Sequence, residues 1–160
     1  MSRERSYSWD DPSALTEAFI DTAGLEFLRK ISTGALPLPP AGATTGVLPV
    51  DVGDGWAEFE LQPAEWHFNP MGTVHGGILA TLADTEHGCA IQTKLSAGTG
   101  YTSLDLTIKF TRPATLDSGT LRCRGDVVTS GRRTATAEAR ITDNMGRTVA
   151  HAITTCLMVG

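Results

Sequence analysis

Residues 69–77 read NPMGTVHGG and lead directly into an apolar stretch with helical spacing, residues 76–93. Two glycines at the start of a buried helix leave backbone N–H groups open to a ligand oxygen, because the first N–H groups of a helix have no internal partners and lie at its positive dipole end. Asp84 follows two turns later, and its carboxylate can serve as a base or a nucleophile. Together these groups indicate attack on a carbonyl.

The predicted helix has two different faces when residues 77–93 are placed on a wheel at about 100° per residue. The apolar face should pack on a sheet, and it holds Ile78, Leu79, Leu82, Ala83, Cys89 and Ala90. The opposite face is made of small residues and one acid: Gly77, Ala80, Thr81, Asp84 and Gly88. Small residues let a second backbone or a ligand come close. Glu86 points into the apolar half, and we interpret it as a satisfied structural acid near the edge of the sheet.

The spacing of the two reactive groups has a consequence for assembly. Asp84 lies seven residues after Gly77, which is about 10 Å along a helix axis. An aspartate side chain cannot reach a carbonyl held at the start of its own helix. If both groups act on one carbonyl, they come from two chains, and the functional unit is a two-fold dimer with two equivalent sites at its interface.

Alternating apolar and polar residues predict antiparallel strands on both sides of the helix in sequence. They are expected over residues 46–52, 56–61, 103–110, 121–127, 132–141 and 147–158, with a turn at Asp54-Gly55. Two strands, one long helix and four further strands make an α+β architecture. A single helix covers only part of such a sheet, so edge pairing or dimerisation is expected.

Residues 1–41 are predicted to form an N-terminal helical extension with a Pro-rich linker, and residues 42–160 the main domain. Asp11-Pro12 is typical of a helix start, and a second short helical piece follows Gly24. Three prolines lie within residues 34–42, at positions 37, 39 and 40. Proline disfavours a helix interior or a central strand, so this segment is interpreted as a linker.

Composition excludes several functional classes. The 160 residues carry a net charge of −5 and have no Lys/Arg-rich run, which argues against a nucleic-acid partner. Arginines do gather at 122, 124, 132 and 133, either as a solvated strand face or as a contact for an anionic ligand tail. Three distant cysteines without a CxxC pair are typical of reduced thiols in a cytoplasmic protein.

Metal and membrane partners are not expected either. His67, His75 and His87 are spaced by eight and twelve residues, which matches no zinc signature. No segment is long and apolar enough to span a membrane.

Three ordered blocks resemble the phenylacetic-acid-degradation (PaaI-like) thioesterases of the hotdog superfamily. They are residues 69–77, then LADT at 82–85, then TSLDL at 102–106 with Arg112-Pro113-Ala114. The match covers roughly residues 42 to 158. The resemblance implies a hotdog fold, in which a curved antiparallel sheet surrounds one long central helix. It also implies homodimers often paired into tetramers, and hydrolysis of acyl-CoA thioesters without a metal or redox cofactor.

The resemblance also implies roles for individual residues. The acid that matches Asp84 acts as general base for water or as nucleophile, and the glycine that matches Gly76 polarises the thioester carbonyl through its N–H. The equivalent of Asn69 lies near the carbonyl or water, that of His75 supports the glycine turn, and that of Ser103 helps to position the water.

The remaining small residues are predicted to bind the substrate: Gly77, Thr81 and Gly88. Some relatives have a threonine where this chain has Gly88, so Ser103 takes over that role or the pocket is wider there. The small face leaves room for a bulky acyl group, including an aryl group.

Two alternative functions use the same fold. A non-catalytic acyl-CoA binding or sensing module is disfavoured by the intact set of Asp84, Asn69 and Gly76, because pure binding has no use for a carboxylate beside the carbonyl. A hotdog dehydratase or hydratase needs an acid–histidine pair at other spacings, which is not seen.

Overall fold

Seven strands form one antiparallel sheet around a long helix in the computed structural model, which describes all residues, 1–160. The helices are α1 (Ser13–Asp21), α2 (Gly24–Ser32), α3 (Pro40–Thr45) and α4 (Gly76–Gln92). The strands are β1 (Val47–Gly53), β2 (Trp56–Leu61), β3 (Gly100–Ser103), β4 (Thr107–Phe110), β5 (Leu121–Ser130), β6 (Thr134–Thr142) and β7 (Thr148–Val159). The expected α+β hotdog architecture is confirmed.

The sheet wraps α4 in the spatial order β1-β2-β5-β6-β7, and β3 and β4 both pair with β7. Leu82, Ala83 and Ala90 of α4 are fully buried, because this helix packs against β2, β5 and β6. The predicted division of the helix holds for its two acids, since Glu86 is fully buried and Asp84 is exposed. The fold therefore holds Asp84 on the side of α4 that faces away from the central strands.

The single strand predicted over residues 103–110 is wrong, because the structure divides it into β3 and β4. Ser103 pairs with Cys156 and Thr107 pairs with Ile153. The three residues 104–106 therefore face only two residues of β7, and the extra residue makes a bulge. The Asp105 side chain stabilises this bulge by accepting the Thr155 N–H at 3.0 Å. The break re-aims the chain directly after Ser103.

The predicted linker is partly helical. Residues 40–42, which we expected to lie outside any helix, begin α3. Pro40 occupies the first helical position, where the missing N–H of proline would have had no partner and its fixed φ suits the helix. The proline pattern correctly excludes a helix interior, but it does not exclude a helix start.

The N-terminal helices dock on the C-terminal end of α4. The Gly24 N–H donates to the Leu95 carbonyl at 3.0 Å, and a Cβ on Gly24 would lie 1.8 Å from the Gln92 carbonyl oxygen. Only glycine therefore permits this approach. The Gly98 N–H donates to the Phe19 carbonyl at 3.2 Å. These contacts fix α1 and α2 beside the helix that carries Asp84.

No helix of the chain combines the length and apolarity needed to cross a membrane. The side chains of His, Cys, Asp and Glu form no group of three or more that could hold a metal ion.

Candidate active site

Asp84 and Ser103 meet where α4 passes the end of β3. The Ser103 hydroxyl donates to Oδ1 of Asp84 at 2.9 Å, and Ser103 Oγ lies 3.8 Å from Cys156 Sγ. Both Asp84 and Ser103 are exposed to solvent. One carboxylate oxygen is thus held by a neighbouring strand, which leaves the other oxygen of Asp84 free to meet a water or a carbonyl carbon.

The two glycines at the start of α4 have different hydrogen bonds. His75 is the N-cap residue, and its Nδ1 accepts the Gly77 N–H at 2.9 Å. The Gly76 N–H has no acceptor within the chain. The expectation that both N–H groups are open to a ligand is therefore wrong for Gly77, whose N–H is occupied by His75. The Gly76 N–H remains available at the positive end of the helix dipole.

Asn69 shapes the loop that leads to this helix start. Its Nδ2 donates to Thr73 Oγ1 at 2.8 Å, and its Oδ1 accepts the N–H groups of Met71 at 2.9 Å and Thr73 at 3.3 Å. Gly72 has φ +77°, which glycine adopts without steric cost. The side chain of Asn69 is thus engaged in holding residues 69–73 beside Gly76.

Gly76 and Asp84 lie in two separate spaces of one chain. The Gly76 groove has a volume of about 380 Å³ and is lined by Asn69, Gly76, Phe110 and Arg112 among others. The Asp84 cavity has a volume of about 460 Å³, and its lining includes Asp84 and Thr85. No residue lines both spaces. Eight residues along a helix are about 12 Å, so a single chain cannot bring the two groups to one carbonyl.

Gly88 does not leave the open space that the small helix face predicts. A Cβ on Gly88 would lie 2.0 Å from the Tyr101 hydroxyl oxygen, because the Tyr101 ring occupies the space above this glycine. Thr81 turns its hydroxyl to the Gly77 carbonyl, at 2.9 Å. The expectation that Gly88 makes room for the acyl group is wrong: that room is filled by Tyr101.

Glu86 is a buried acid with no hydrogen-bond partner for either oxygen. A Cβ on Gly125 would lie 2.1 Å from Glu86 Oε2, and Gly125 belongs to β5, which is paired on both sides. The interpretation of Glu86 as a satisfied acid near the sheet edge is therefore wrong. Burial raises the pKa of Glu86 well above its ordinary value, and the nearby charge of Asp126 raises it further. Both effects favour the neutral, protonated carboxyl.

The three histidine side chains have different roles in the fold. His67 Nδ1 accepts the Ala64 N–H at 3.1 Å, and its Nε2 lies 2.8 Å from the Thr45 carbonyl. His87 is fully buried with Nε2 3.3 Å from the Ala152 carbonyl. Burial lowers the pKa of both side chains, which favours neutral rings. Only His75 contacts the candidate active site.

The arginine pair on β5 is engaged by its own sheet. Arg122 forms an ion pair with Glu58 at 2.7 Å, and the Arg124 guanidinium lies 3.7 Å from the centre of the Trp56 ring. Of the two interpretations left open by the sequence, these contacts favour the solvated strand face for Arg122 and Arg124.

The sequence did not indicate several of the residues that line the Asp84 cavity. Tyr101 and Phe59 come from the sheet, and Phe19 and Phe27 come from the N-terminal helices. Helical spacing of Leu25, Leu28 and Ile31 marks an apolar face on α2, but nothing in that pattern says what the face covers.

One antiparallel sheet wrapped around a long central helix is the hotdog fold. A thioesterase superfamily profile matches residues 71–150 of this chain. A Halobacterium salinarum protein named as an esterase is 30% identical, with 82% of this chain and 78% of that protein covered. The chain belongs to the thioesterase superfamily and is a thioesterase.

Solved structures agree with this assignment. A phenylacetic acid degradation-related protein from Ralstonia eutropha JMP134 is 27% identical with a TM-score of 0.73, covering 81% of this chain and 97% of that chain. A Streptococcus mutans UA159 protein bound to acetyl CoA is 25% identical with a TM-score of 0.65, covering 71% of this chain and 89% of that chain.

Proposed function

We propose that this thioesterase hydrolyses an acyl-CoA thioester to the free acid and CoA, and that each active site is formed by two copies of the chain. Gly76 of one protomer binds the carbonyl oxygen, and Asp84 of the partner subunit acts on the carbonyl carbon directly or through water. The observation that carries the proposal is the division of the two groups between the Gly76 groove and the Asp84 cavity within one chain.

Exposed apolar side chains support a dimer at this place. Met71 and Phe110, which line the Gly76 groove, are 83% and 52% exposed, and Leu104, next to Ser103, is 57% exposed. Large apolar side chains that are exposed beside both functional groups are typical of a protein interface. A second copy placed there would cover them and bring its Asp84 towards Gly76.

The residues supply two of the groups that thioester hydrolysis needs. As water attacks the carbonyl carbon, Asp84 takes a proton from it, and the oxygen of the tetrahedral intermediate becomes negative. The Gly76 N–H donates to this oxygen, which lowers the free energy of the transition state. The carbon–sulfur bond then breaks, and the CoA thiolate leaves and takes up a proton. In the alternative route, Asp84 attacks the carbon itself, and water hydrolyses the resulting mixed anhydride.

CoA as the leaving thiol is supported by the Streptococcus mutans relative, which was solved with acetyl CoA bound. Arg112 lies exposed on the lining of the Gly76 groove, where a cation can meet a phosphate of the CoA tail.

Mixing two inactive variants tests the shared site. Asp84→Asn removes the carboxylate charge. Gly76→Pro removes the N–H at the first helical position, where the helix backbone accepts proline, and the exposed Phe110 ring, 3.0 Å from the new Cβ, must shift slightly. Each variant alone should lose at least about a hundredfold in kcat. In a mixed dimer, Gly76 of the Asp84→Asn chain faces Asp84 of the Gly76→Pro chain, so one of two sites is intact. Random re-association of equal amounts should restore about a quarter of wild-type activity.

A mixture as inactive as its components would contradict the shared site, provided that mass spectrometry shows mixed dimers. Binding of acyl-CoA by the wild-type protein without thiol release would instead favour a non-catalytic binding module. The route of attack is separated by a single turnover in ¹⁸O-labelled water, since label that enters the Asp84 carboxylate excludes pure general-base chemistry.

A further inference from the structure

The Asp84 cavity has a wall that lies outside the residues shared with the thioesterase superfamily profile, 71–150. Of its 18 lining residues, eight come from the first 42 positions of the chain. These eight are Phe19, Phe27, Leu28, Ile31, Leu38, Pro39, Ala41 and Gly42. The N-terminal helices are therefore part of the candidate acyl site and not only an appendage to the fold.

This wall is packed and aromatic. Leu28 and Ile31 are only 6% and 8% exposed, and the rings of Phe19 and Phe27 meet edge to face with centroids 5.9 Å apart. The Gly24 contact with α4 holds α2 in place, as described above. A wall fixed at its base and lined with packed side chains can set a limit on the size of a ligand.

The chemistry of the lining selects an apolar ligand. Asp84 is the single carboxylate of the lining, which contains no lysine, arginine or histidine. An acyl group with a distal charge would lose its hydration there without gaining a partner. An alkyl or aryl group would gain affinity, roughly threefold to fourfold for each methylene that it buries.

The volume indicates the size of that group. The space of about 460 Å³ corresponds to roughly fifteen non-hydrogen atoms at about 30 Å³ each, the share of a water molecule in the liquid. We propose that the N-terminal helices form the acyl-binding wall, and that the thioesterase selects an uncharged apolar acyl group of medium size, about eight to twelve carbons. This inference rests on the proposed function, because it assigns the acyl half of the same substrate.

Variants of the wall test the inference. Phe27→Ala enlarges the cavity, Leu38→Trp fills it, and Leu25→Ala is the control, because Leu25 is a partly buried residue of the same helix that does not line the cavity. Values of kcat/KM are measured for straight-chain acyl-CoAs from acetyl to hexadecanoyl. The wild-type protein should prefer octanoyl to dodecanoyl over acetyl. The ratio of tetradecanoyl to octanoyl should rise about tenfold in Phe27→Ala, fall about tenfold in Leu38→Trp and stay within about twofold in Leu25→Ala.

Circular dichroism verifies that both wall variants fold. The inference would be overturned if the ratio of kcat/KM for tetradecanoyl to that for octanoyl were unchanged in both of them. A wild-type preference for acetyl or for a charged acyl group such as succinyl would do the same.

Failure of the proposed function is recognised separately by calorimetry with octanamide, a neutral probe that avoids repulsion from Asp84. If no acyl-CoA is cleaved, octanamide should still bind the wild-type and Leu25→Ala proteins and bind at least about tenfold more weakly to Leu38→Trp. Absence of octanamide binding to the wild-type protein would overturn the inference even if acyl-CoA is hydrolysed.

Discussion

Ser103 and Asp84 are joined by a hydrogen bond of 2.9 Å from the serine hydroxyl to Oδ1 of the acid. The bond connects β3 with α4, and the two residues that it joins are 19 positions apart in the sequence. The bulge over residues 104–106 follows Ser103 directly, and bulges beside active sites commonly re-aim a side chain. The strand break and the orientation of the acid are thus parts of one local arrangement.

Ser103→Ala should lower kcat about fivefold to twentyfold with little change in KM, because Asp84 keeps its charge but loses the group that orients one of its oxygens. Steady-state hydrolysis of one acyl-CoA measures both constants. Thr102→Ala is the matched control, since Thr102 is an exposed neighbour on the same strand. Equal activity of the Ser103→Ala and wild-type proteins would show that Asp84 needs no such support.

Gly88→Ala should lower the free energy of unfolding by about 1–3 kcal/mol, because the new methyl group would overlap the Tyr101 phenol. Urea denaturation measures the change. In the background of Tyr101→Ala the same substitution should cost much less, since its steric partner is gone. Equal costs in the two backgrounds would contradict the packing of Tyr101 on Gly88.

Glu86→Gln should remove a pH dependence of stability. The folded-state pKa of Glu86 is raised by burial, so the folded state holds a proton that the unfolded state releases above its ordinary pKa of about 4.3. This contribution to stability is full below that pKa and is lost as the pH rises towards the folded value.

The wild-type protein should therefore lose stability between pH 5 and pH 8, and the Glu86→Gln protein should not. The free energy of unfolding of the variant minus that of the wild type should be higher at pH 8 than at pH 5. Urea denaturation at the two pH values measures it, with the exposed acid substitution Glu17→Gln as control. A difference from wild type that is the same at both pH values would show that Glu86 does not titrate abnormally.

The three thiols should react slowly in the native protein, because Cys123 and Cys156 are fully buried and the half-buried Cys89, which lines the Asp84 cavity, has a raised pKa. Burial raises the pKa of Cys89 to about 12, and it also raises the pKa of Cys123 and Cys156. Since the thiolate is the reactive form, labelling by a disulfide reagent at pH 8 should be at least about a hundredfold slower than in denaturant. One rapidly labelled thiol in the native protein would contradict this prediction, and serine variants would identify it.

Local patterns predicted the parts of the fold that local forces set. The glycine pair after His75 and the apolar periodicity behind it located α4 to within one residue of its observed end. The turn predicted at Asp54-Gly55 is confirmed, since it joins the antiparallel strands β1 and β2. The break between β3 and β4 was not predictable from the alternation of Leu104, Leu106 and Ile108, because it depends on Asp105 binding the backbone of β7.

The sequence by itself determined the order of the elements, the start of α4 and the placement of Asp84 and Glu86 on opposite sides of it, because helical periodicity and glycine chemistry act within a few residues. Only the tertiary structure decided that Tyr101 fills the space above Gly88, that Ser103 binds Asp84 and that Phe19 and Phe27 reach the cavity. Those relationships join residues that are far apart in sequence, and packing in three dimensions, not local propensity, selects them.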